Sequence, residues 1–259
     1  MTDSLYIAAT GMHTQQEIIN TISNNLANVN TPGYKKSRIS FVDLMYRDAN
    51  QTRAAAEDGI ASYEMGSGSA VAGISKSFSM GDIKASERQL DVAINGEGLF
   101  EVNLLDGSKA YTRAGSLNIS SEGYLTANNG YQLSSQIQVP EGTTNVVITS
   151  DGKVSAAVQG QTGLTELGQI ELAHFTSTEY LKPLGNNLYV PTAESGDAMV
   201  GRPGEDNLGH IQQGFLELSN VNLIDELVTM MLAQRAFEIN SKVIQASDEI
   251  MSLSNNMRR

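Results

Sequence analysis

The 259-residue sequence contains no cysteine and no tryptophan. Without cysteine the chain has no disulfide, no thiolate metal site and no cysteine nucleophile. Basic residues are scarce as well, because 17 Lys and Arg stand against 29 Asp and Glu, for a formal net charge of −12. Such a surface repels phosphate backbones, and no basic stripe offsets it, so we expect no nucleic-acid partner.

Long apolar runs are missing too. No window reaches the roughly 18–20 apolar residues that a membrane-spanning helix needs, so we expect no membrane span. Residues 1–20 also lack the basic region and following apolar region of a cleavable secretory signal. We therefore expect a soluble protein which, if it is exported, leaves by a route that uses no cleaved signal.

Motifs for catalysis and metal binding are scarce. His13, His174 and His210 have no spacing typical of zinc ligands. The sequence has no Gly-x-Ser-x-Gly elbow, dinucleotide fingerprint or phosphate-binding loop. A Ser-His-Asp arrangement of distant residues stays open, but nothing in the sequence favours one. We therefore predict no enzyme activity, no cofactor and no metal site.

What the sequence does contain is a strong apolar periodicity at both ends. Residues 3–28 and 220–256 are each predicted to form an amphipathic helix, the second with Ser219 or Asn220 as its N-cap. The apolar stripe of the first helix consists of Ala8, Met12, Ile19, Ile22 and Leu26. The stripe of the second steps 4-3 along Leu232, Ala236, Ile239, Val243, Ala246, Ile250 and Leu253. This spacing is typical of a coiled-coil seam, so we expect the two stripes to meet and to form an assembly interface.

The centre of the chain has a different pattern. Short alternating segments are separated by the turn dipeptides Asn95-Gly96, Asp106-Gly107, Glu122-Gly123, Asn129-Gly130 and Asp151-Gly152. Turn signals at this spacing predict an all-β domain, either a sandwich or a barrel. The predicted fold is therefore α+β. A helical coiled-coil domain is formed by residues 1–30 and 216–259, a connecting segment by 31–65 and a β-rich domain by 66–215.

Several motifs resemble those of the flagellar basal-body rod and hook protein family, in the same order along the chain. The terminal motifs include Asn24, Asn25, Leu26, Ala27, Asn28, Thr31, Gly33, Tyr34, Ser219, Asn220, Val221 and Arg235. Residues 90–100 and 111–115 resemble the central motifs of the family. Within the family the chain is most similar to the distal-rod member, in which the segment equivalent to residues 46–65 is an extended arm.

The resemblance implies a structural role. Members of the family are secreted unfolded through the flagellar type III export apparatus, without a cleaved signal, and polymerise in the periplasm as part of the basal body. Their terminal helices line a channel, and the product is a hollow drive shaft that transmits torque from motor to hook. The implied partners are further copies of the chain, the proximal rod proteins, the hook protein and the L- and P-ring proteins. The alternatives are a proximal rod subunit, or a non-flagellar β-domain binding module with helical tails.

Overall fold

The structure, a computed structural model, describes residues 2–44, 47–48, 64–159 and 163–257. The chain divides into two compact units. The first, called the helical unit here, comprises residues 1–26, 37–75 and 222–259, and the second, the β unit, comprises residues 27–36 and 76–221. The domain boundaries expected from the sequence stay predictions.

Two long α-helices lie at the two ends of the chain. Helix α1 spans Thr2–Ala27 and helix α2 spans Leu223–Asn256. The residue that caps the N-terminus of α2 is Asn222 rather than the predicted Ser219 or Asn220, since the Asn222 side chain accepts a hydrogen bond from the Ile224 N–H at 3.0 Å. Asp225 and Glu226 follow in the first turn, where the helix dipole favours acidic side chains.

Four strands follow α1 along the chain. Strand β1 (Ser37–Asp43) pairs with β4 (Ser69–Lys76), and β2 (Arg47–Asp48) pairs with β3 (Glu64–Met65). Most of the predicted arm, residues 45–46 and 49–63, lies outside the described residues, and the arm stays a prediction.

The β unit contains sixteen described strands and one short 3₁₀ helix, Thr178–Tyr180. The strands are β5 (Ile83–Ala85), β6 (Val92–Asn95), β7 (Leu99–Asn103), β8 (Lys109–Thr112), β9 (Leu117–Ile119), β10 (Leu125–Ala127), β11 (Gln132–Leu133), β12 (Thr143–Ile148), β13 (Lys153–Val158), β14 (Leu164–Gln169), β15 (Leu172–His174), β16 (Lys182–Gly185), β17 (Leu188–Val190), β18 (Met199–Gly201), β19 (His210–Gln213) and β20 (Phe215–Glu217). The largest sheet has nine strands, with the order β16-β17-β8-β7-β11-β10-β9 and with β15 joining β7 to β18. A three-stranded sheet, β12-β13-β14, lies beside two ribbons, β6-β19 and β5-β20.

The five turn dipeptides all lie between consecutive strands of the β unit. Four of the five lie between antiparallel neighbours in a sheet, in the turns after β7, β9, β10 and β12. The fifth, Asn95-Gly96, leads from β6 to β7, and these strands pair with other partners. The alternating pattern of residues 131–139 does not form one strand, because a turn follows β11 after two residues and Gln136 has a positive φ of 45°. The two terminal helices and the β-rich centre confirm the α+β prediction.

Apolar side chains of the main sheet and of the three-stranded sheet form the core of the β unit. The main cluster includes Phe100, Leu117, Leu125, Val154 and Leu172, each with 1% or less of its surface exposed. The ribbons close this unit by pairing its first strands with its last, because β5 and β6 bind β20 and β19.

Candidate assembly interface

The predicted C-terminal seam is an exposed apolar surface of α2. Leu232 is 66% exposed, Ile239 60% and Leu253 61%. The remaining members are Val243, Ala246 and Ile250, which are exposed, and Ala236, which is half-buried. The seam therefore does not pack against α1 within the chain, and its burial in an assembly stays a prediction.

The exposed apolar surface continues toward the N-terminus of α2. Its further members are Leu223, Ile224, Leu227, Val228 and Met231, all more than two-fifths exposed. Large exposed apolar patches are typical of interaction sites, so this surface is a candidate interface.

A second row of α2, one residue further along at most positions, is covered instead. Its members, buried or half-buried, are Glu226, Met230, Ala233, Phe237, Asn240, Ile244, Ser247 and Met251. Neighbouring positions on an α-helix differ by about 100°, so this covered row and the apolar seam are adjacent faces of α2. On α1, the predicted residues Ala8 and Ile22 are buried and Met12, Ile19 and Leu26 are half-buried.

Helix α1 contacts the covered row at two places. The Asn25 Nδ2 donates to Glu226 Oε2 at 3.3 Å, and Gly11 lies against the side chain of Asn240. Asn25 is 2% exposed, and it also bonds both backbone groups of Ser37, which fixes the chain after the α1 turn. The motif residue Asn25 thus connects three segments of the helical unit.

In the β unit, a buried ion cluster joins the other terminal motifs. Glu217 of β20 accepts from Lys35 Nζ at 2.7 Å and from Arg113 Nε at 2.5 Å, and all three side chains are at most 5% exposed. The Gly81 N–H adds a bond to Glu217 Oε1 at 2.8 Å. Arg113 also donates to the carbonyls of Ile94 and Gly96. Arg113 belongs to the central motif at residues 111–115, and nothing in the sequence predicts that it meets Lys35 and Glu217.

The other motif residues of the β unit surround this cluster. Gly33 has a φ of 70°, and a Cβ there would lie 2.7 Å from the Ala114 backbone, so the turn requires glycine. Asn220 accepts from the Lys36 N–H at 2.8 Å and donates to the Ser77 carbonyl at 2.8 Å. The remaining motif positions of the β unit are Thr31, which bonds Asn28, the buried Tyr34, Ser219 and Val221, and the exposed Ala27. Two further motif residues, Asn24 on α1 and Arg235 on α2, are exposed and belong to the helical unit.

The cluster sets the charge state of its carboxylate. Burial raises the pKa of Glu217, but the charges of Arg113 and Lys35 and their hydrogen bonds outweigh it, so the pKa lies below its ordinary value. The folded β unit therefore favours ionised Glu217 more than the unfolded chain does.

Acid should consequently destabilise the β unit. Because the folded pKa of Glu217 is depressed, its contribution is fully present above its ordinary pKa of 4.5 and is lost as the pH falls through the folded value. We expect the urea midpoint of the full chain to be constant near neutral pH and to decrease once the pH is below the ordinary pKa of Glu217. The Glu217→Gln variant should show a flatter acid limb, and a limb as steep as that of the wild type would contradict this assignment.

A cavity of about 520 Å³ lies on the β unit beside this cluster. Its lining includes Phe78, Met80, Glu97, His174 and Phe175. The His174 Nδ1 lies 3.7 Å from Glu97 Oε2, and the hydroxyls of Ser77 and Ser79, two of the lining residues, bond each other. These four side chains therefore form two separate pairs. Within residues 2–44, 47–48, 64–159 and 163–257 no group of metal-ligating side chains is found, and no described helix is long and apolar enough to cross a membrane.

Comparisons with known proteins match the same parts of the chain. Residues 5–35 match a family model described as flagella basal body rod protein. Residues 93–156 match the flagellar hook protein FlgE/F/G D1 domain, and residues 212–257 match the flagellar basal body rod FlgEFG protein C-terminal model. The flagellar basal-body rod protein FlgG of Borreliella burgdorferi is 40% identical over the whole length of both chains. The chain belongs to the flagellar basal-body rod protein family.

Two relatives from one organism show which member of the family the chain resembles more. The FlgG protein of Bacillus subtilis is 38% identical to the chain and its hook-basal body complex protein FlhP is 27% identical, each over the full length of both chains. The chain is thus more similar to FlgG than to FlhP. As a rod family member it is a structural component of the flagellar basal body and not an enzyme.

Proposed function

We propose that the chain is the subunit of the flagellar distal rod and assembles into a hollow helical shaft that transmits torque from motor to hook. The observation that carries the proposal is the exposed apolar seam of α2, a heptad row without a partner among the described residues. The full-length similarity to FlgG proteins supports the distal rod over the other rod positions.

Burial of the seam supplies the energy of assembly. A buried Leu, Ile or Val side chain contributes ~1.5–3 kcal/mol. The five large seam residues are Leu232, Ile239, Val243, Ile250 and Leu253. Their combined burial is of the same order as the roughly 4–15 kcal/mol that association costs, and a polymer repeats the contact at every copy.

The two faces of α2 make a continuous assembly geometrically reasonable. The covered row of α2 is used within the chain, so the apolar seam is left for a neighbouring copy. A neighbour that covers the seam with a different surface forms a head-to-tail contact, and such contacts propagate into helical filaments. We propose that the α1–α2 pairs of successive copies form a coiled coil around the channel of the shaft, with Ala8, Met12, Ile19, Ile22 and Leu26 contributing from α1.

The remaining parts of the proposal concern partners and route. The chain is exported through the flagellar type III apparatus without a cleaved signal and assembles in the periplasm. The proximal rod proteins lie at one end of the shaft, the hook protein at the other, and the L- and P-ring proteins around it. The predicted arm within residues 31–65 stiffens the shaft.

Electron microscopy of the purified full chain tests the proposal. At high protein concentration we expect negatively stained filaments or tubes of constant diameter, and a soluble fraction that stops rising above a critical concentration. Dilution below the critical concentration should dissociate the filaments into soluble protein. Monodisperse particles at every concentration and pH in the neutral range would count against self-assembly through the seam.

A further inference from the structure

The turn between β7 and β8 presents one leucine to solvent. Leu105 is 97% exposed, more than any other large apolar side chain among the described residues. The turn that carries it is held by backbone and side-chain bonds. The Gly107 N–H donates to the Leu104 carbonyl at 3.0 Å. The Ser108 N–H donates to Asp106 Oδ1 at 3.0 Å, and Leu104 packs inward against a buried cluster of the β unit. Leu105 is therefore an apolar knob on a fixed turn.

The cavity beside the ion cluster lies at the other end of the same hairpin. Leu99, the first residue of β7, and Arg113, which follows β8, both belong to the cavity lining. The two strands are antiparallel, and Asn103 pairs with Lys109 next to the turn. Six residues separate Leu99 from Leu105, which is about 20 Å at ~3.3 Å per residue. The knob and the cavity thus lie at opposite ends of the β7–β8 hairpin.

The cavity has apolar side chains on which a leucine could be buried. Leu99, Ala173 and Phe175 of its lining are buried members of one hydrophobic cluster. Phe78 packs against this cluster, and Met80 of the same lining is exposed. An apolar side chain that entered the cavity would lose its own contact with water and would also cover Met80.

One wall of the cavity, residues 77–80, is held in place by the terminal motifs. The Ser79 carbonyl accepts from Lys35 Nζ at 2.8 Å and from Asn220 Nδ2 at 3.1 Å. Asn220 Nδ2 also donates to the Ser77 carbonyl at 2.8 Å. The cavity is therefore already formed in the single chain, and binding to a preformed cavity costs less conformational entropy than binding to one that must be ordered.

We propose that the Leu105 knob of one copy of the chain occupies the cavity of a second copy. A lone exposed leucine is ordinary by itself. Here, however, the same chain carries both an apolar knob and a preformed cavity with an apolar lining, at opposite ends of one hairpin, so a second copy can supply the occupant. The two contacting surfaces differ, so the contact is head-to-tail and repeats from copy to copy without closing.

The knob contact would add a link between β units to the link that the apolar seam makes between helices. Burial of one leucine is worth roughly tenfold to a hundredfold in affinity, which is less than the cost of association. The knob contact therefore strengthens an assembly and does not create one alone. Its place in a shaft rests on the proposed function, whereas the contact itself requires only two copies of the chain.

Disulfide trapping between copies tests the contact, because the chain has no cysteine of its own. Full-length Leu105→Cys protein is mixed with full-length Met80→Cys protein. Both also carry Ile239→Asp, so that the apolar seam does not hold the copies together. Each copy then has one cysteine, every disulfide joins two copies, and mass spectrometry of the linked peptides identifies the pair. Leu164→Cys replaces Leu105→Cys in the matched control, since Leu164 is an exposed leucine in a different sheet.

We expect the disulfide between positions 105 and 80 to form at least about tenfold faster than the one between positions 164 and 80, the factor that corresponds to burial of one apolar side chain. In the chain with an intact seam, Leu105→Asp should raise the critical concentration for filaments by about tenfold or more. Leu164→Asp should leave the critical concentration unchanged. Circular dichroism verifies that each variant is folded.

A chain with both Leu105→Cys and Met80→Cys tests the head-to-tail geometry. The two positions of one copy are too far apart for a disulfide, which needs Cα atoms roughly 4.4–6.8 Å apart. We expect a ladder of linked copies on electrophoresis. A doubly linked dimer as the main product would overturn the head-to-tail contact.

Equal rates for the two mixed pairs, or no disulfide in either, would overturn the inference. The rates are measured with the seam blocked, so they do not depend on filament formation, which electron microscopy scores separately. Failure of the shaft proposal would leave the rate comparison intact. Equal rates would remove the knob contact and leave assembly through the seam untouched.

Discussion

Replacing Ile239 with Asp should abolish assembly while the β unit remains folded. Ile239 is 60% exposed at the middle of the apolar seam, so the single chain loses little when it is changed. In an assembly the same position would be buried, and the variant would both forfeit ~1.5–3 kcal/mol of apolar burial and place a charge in the contact. We expect the critical concentration to rise by about a hundredfold or more.

Sedimentation of assembled material, with unfolding of the β unit followed in parallel, measures this effect. Gln245→Asp is the matched control, because it adds the same charge to an exposed position of α2 outside both rows. Ile239→Asp chains that assemble at the wild-type concentration would contradict a role for the seam. A loss of assembly in both variants would instead indicate a general effect of charge on α2.

Replacing Glu217 with Gln should produce the largest loss of stability in the β unit. The change leaves Lys35 and Arg113 buried without their counter-charge, and breaking a buried ion pair in this way costs about 3–5 kcal/mol. Lys35→Met should cost less, because Glu217 keeps Arg113. The expected order of urea midpoints is wild type, then Lys35→Met, then Glu217→Gln.

Glu122→Gln supplies the control for this series, since Glu122 is exposed in a turn and its replacement should leave the midpoint unchanged. The reverse order, in which Lys35→Met has the lowest urea midpoint, would mean that Lys35 and not Glu217 is the centre of the cluster. Equal urea midpoints for all four proteins would show that the cluster does not contribute to the stability of the β unit.

The helices could be predicted from the sequence, but their orientation could not. Heptad spacing predicted helix α2 and the apolar row along it, and the burial of this row in an assembly stays a prediction. Spacing does not say by what, and α1 covers the adjacent row instead. The reason is local fit: Gly11 leaves space for the Asn240 amide, and Asn25 bonds Glu226, so a more polar row is compatible with α1.

The ion cluster could not be predicted from the sequence for a different reason. Lys35 and Glu217 are 182 residues apart in sequence, and a charged residue in a motif is by default a solvated one. Their burial depends on the pairing of β5 with β20, which brings Gly81 and Glu217 together. Turn dipeptides mark where strands end and carry no information on which distant strands become neighbours.

That pairing of early strands with late ones also determines when the β unit can fold. If the polypeptide is threaded through a pore with its N-terminus leading, β5 and β6 emerge long before β19 and β20, and Lys35 emerges before Glu217. Until the last strands arrive the early strands lack partners and the lysine and arginine have no carboxylate to enclose, so the β unit cannot close. Folding thus waits for a nearly complete chain. Under that condition the β unit would stay unfolded during transport, and a chain that ends before residue 217 would lack the carboxylate of the cluster.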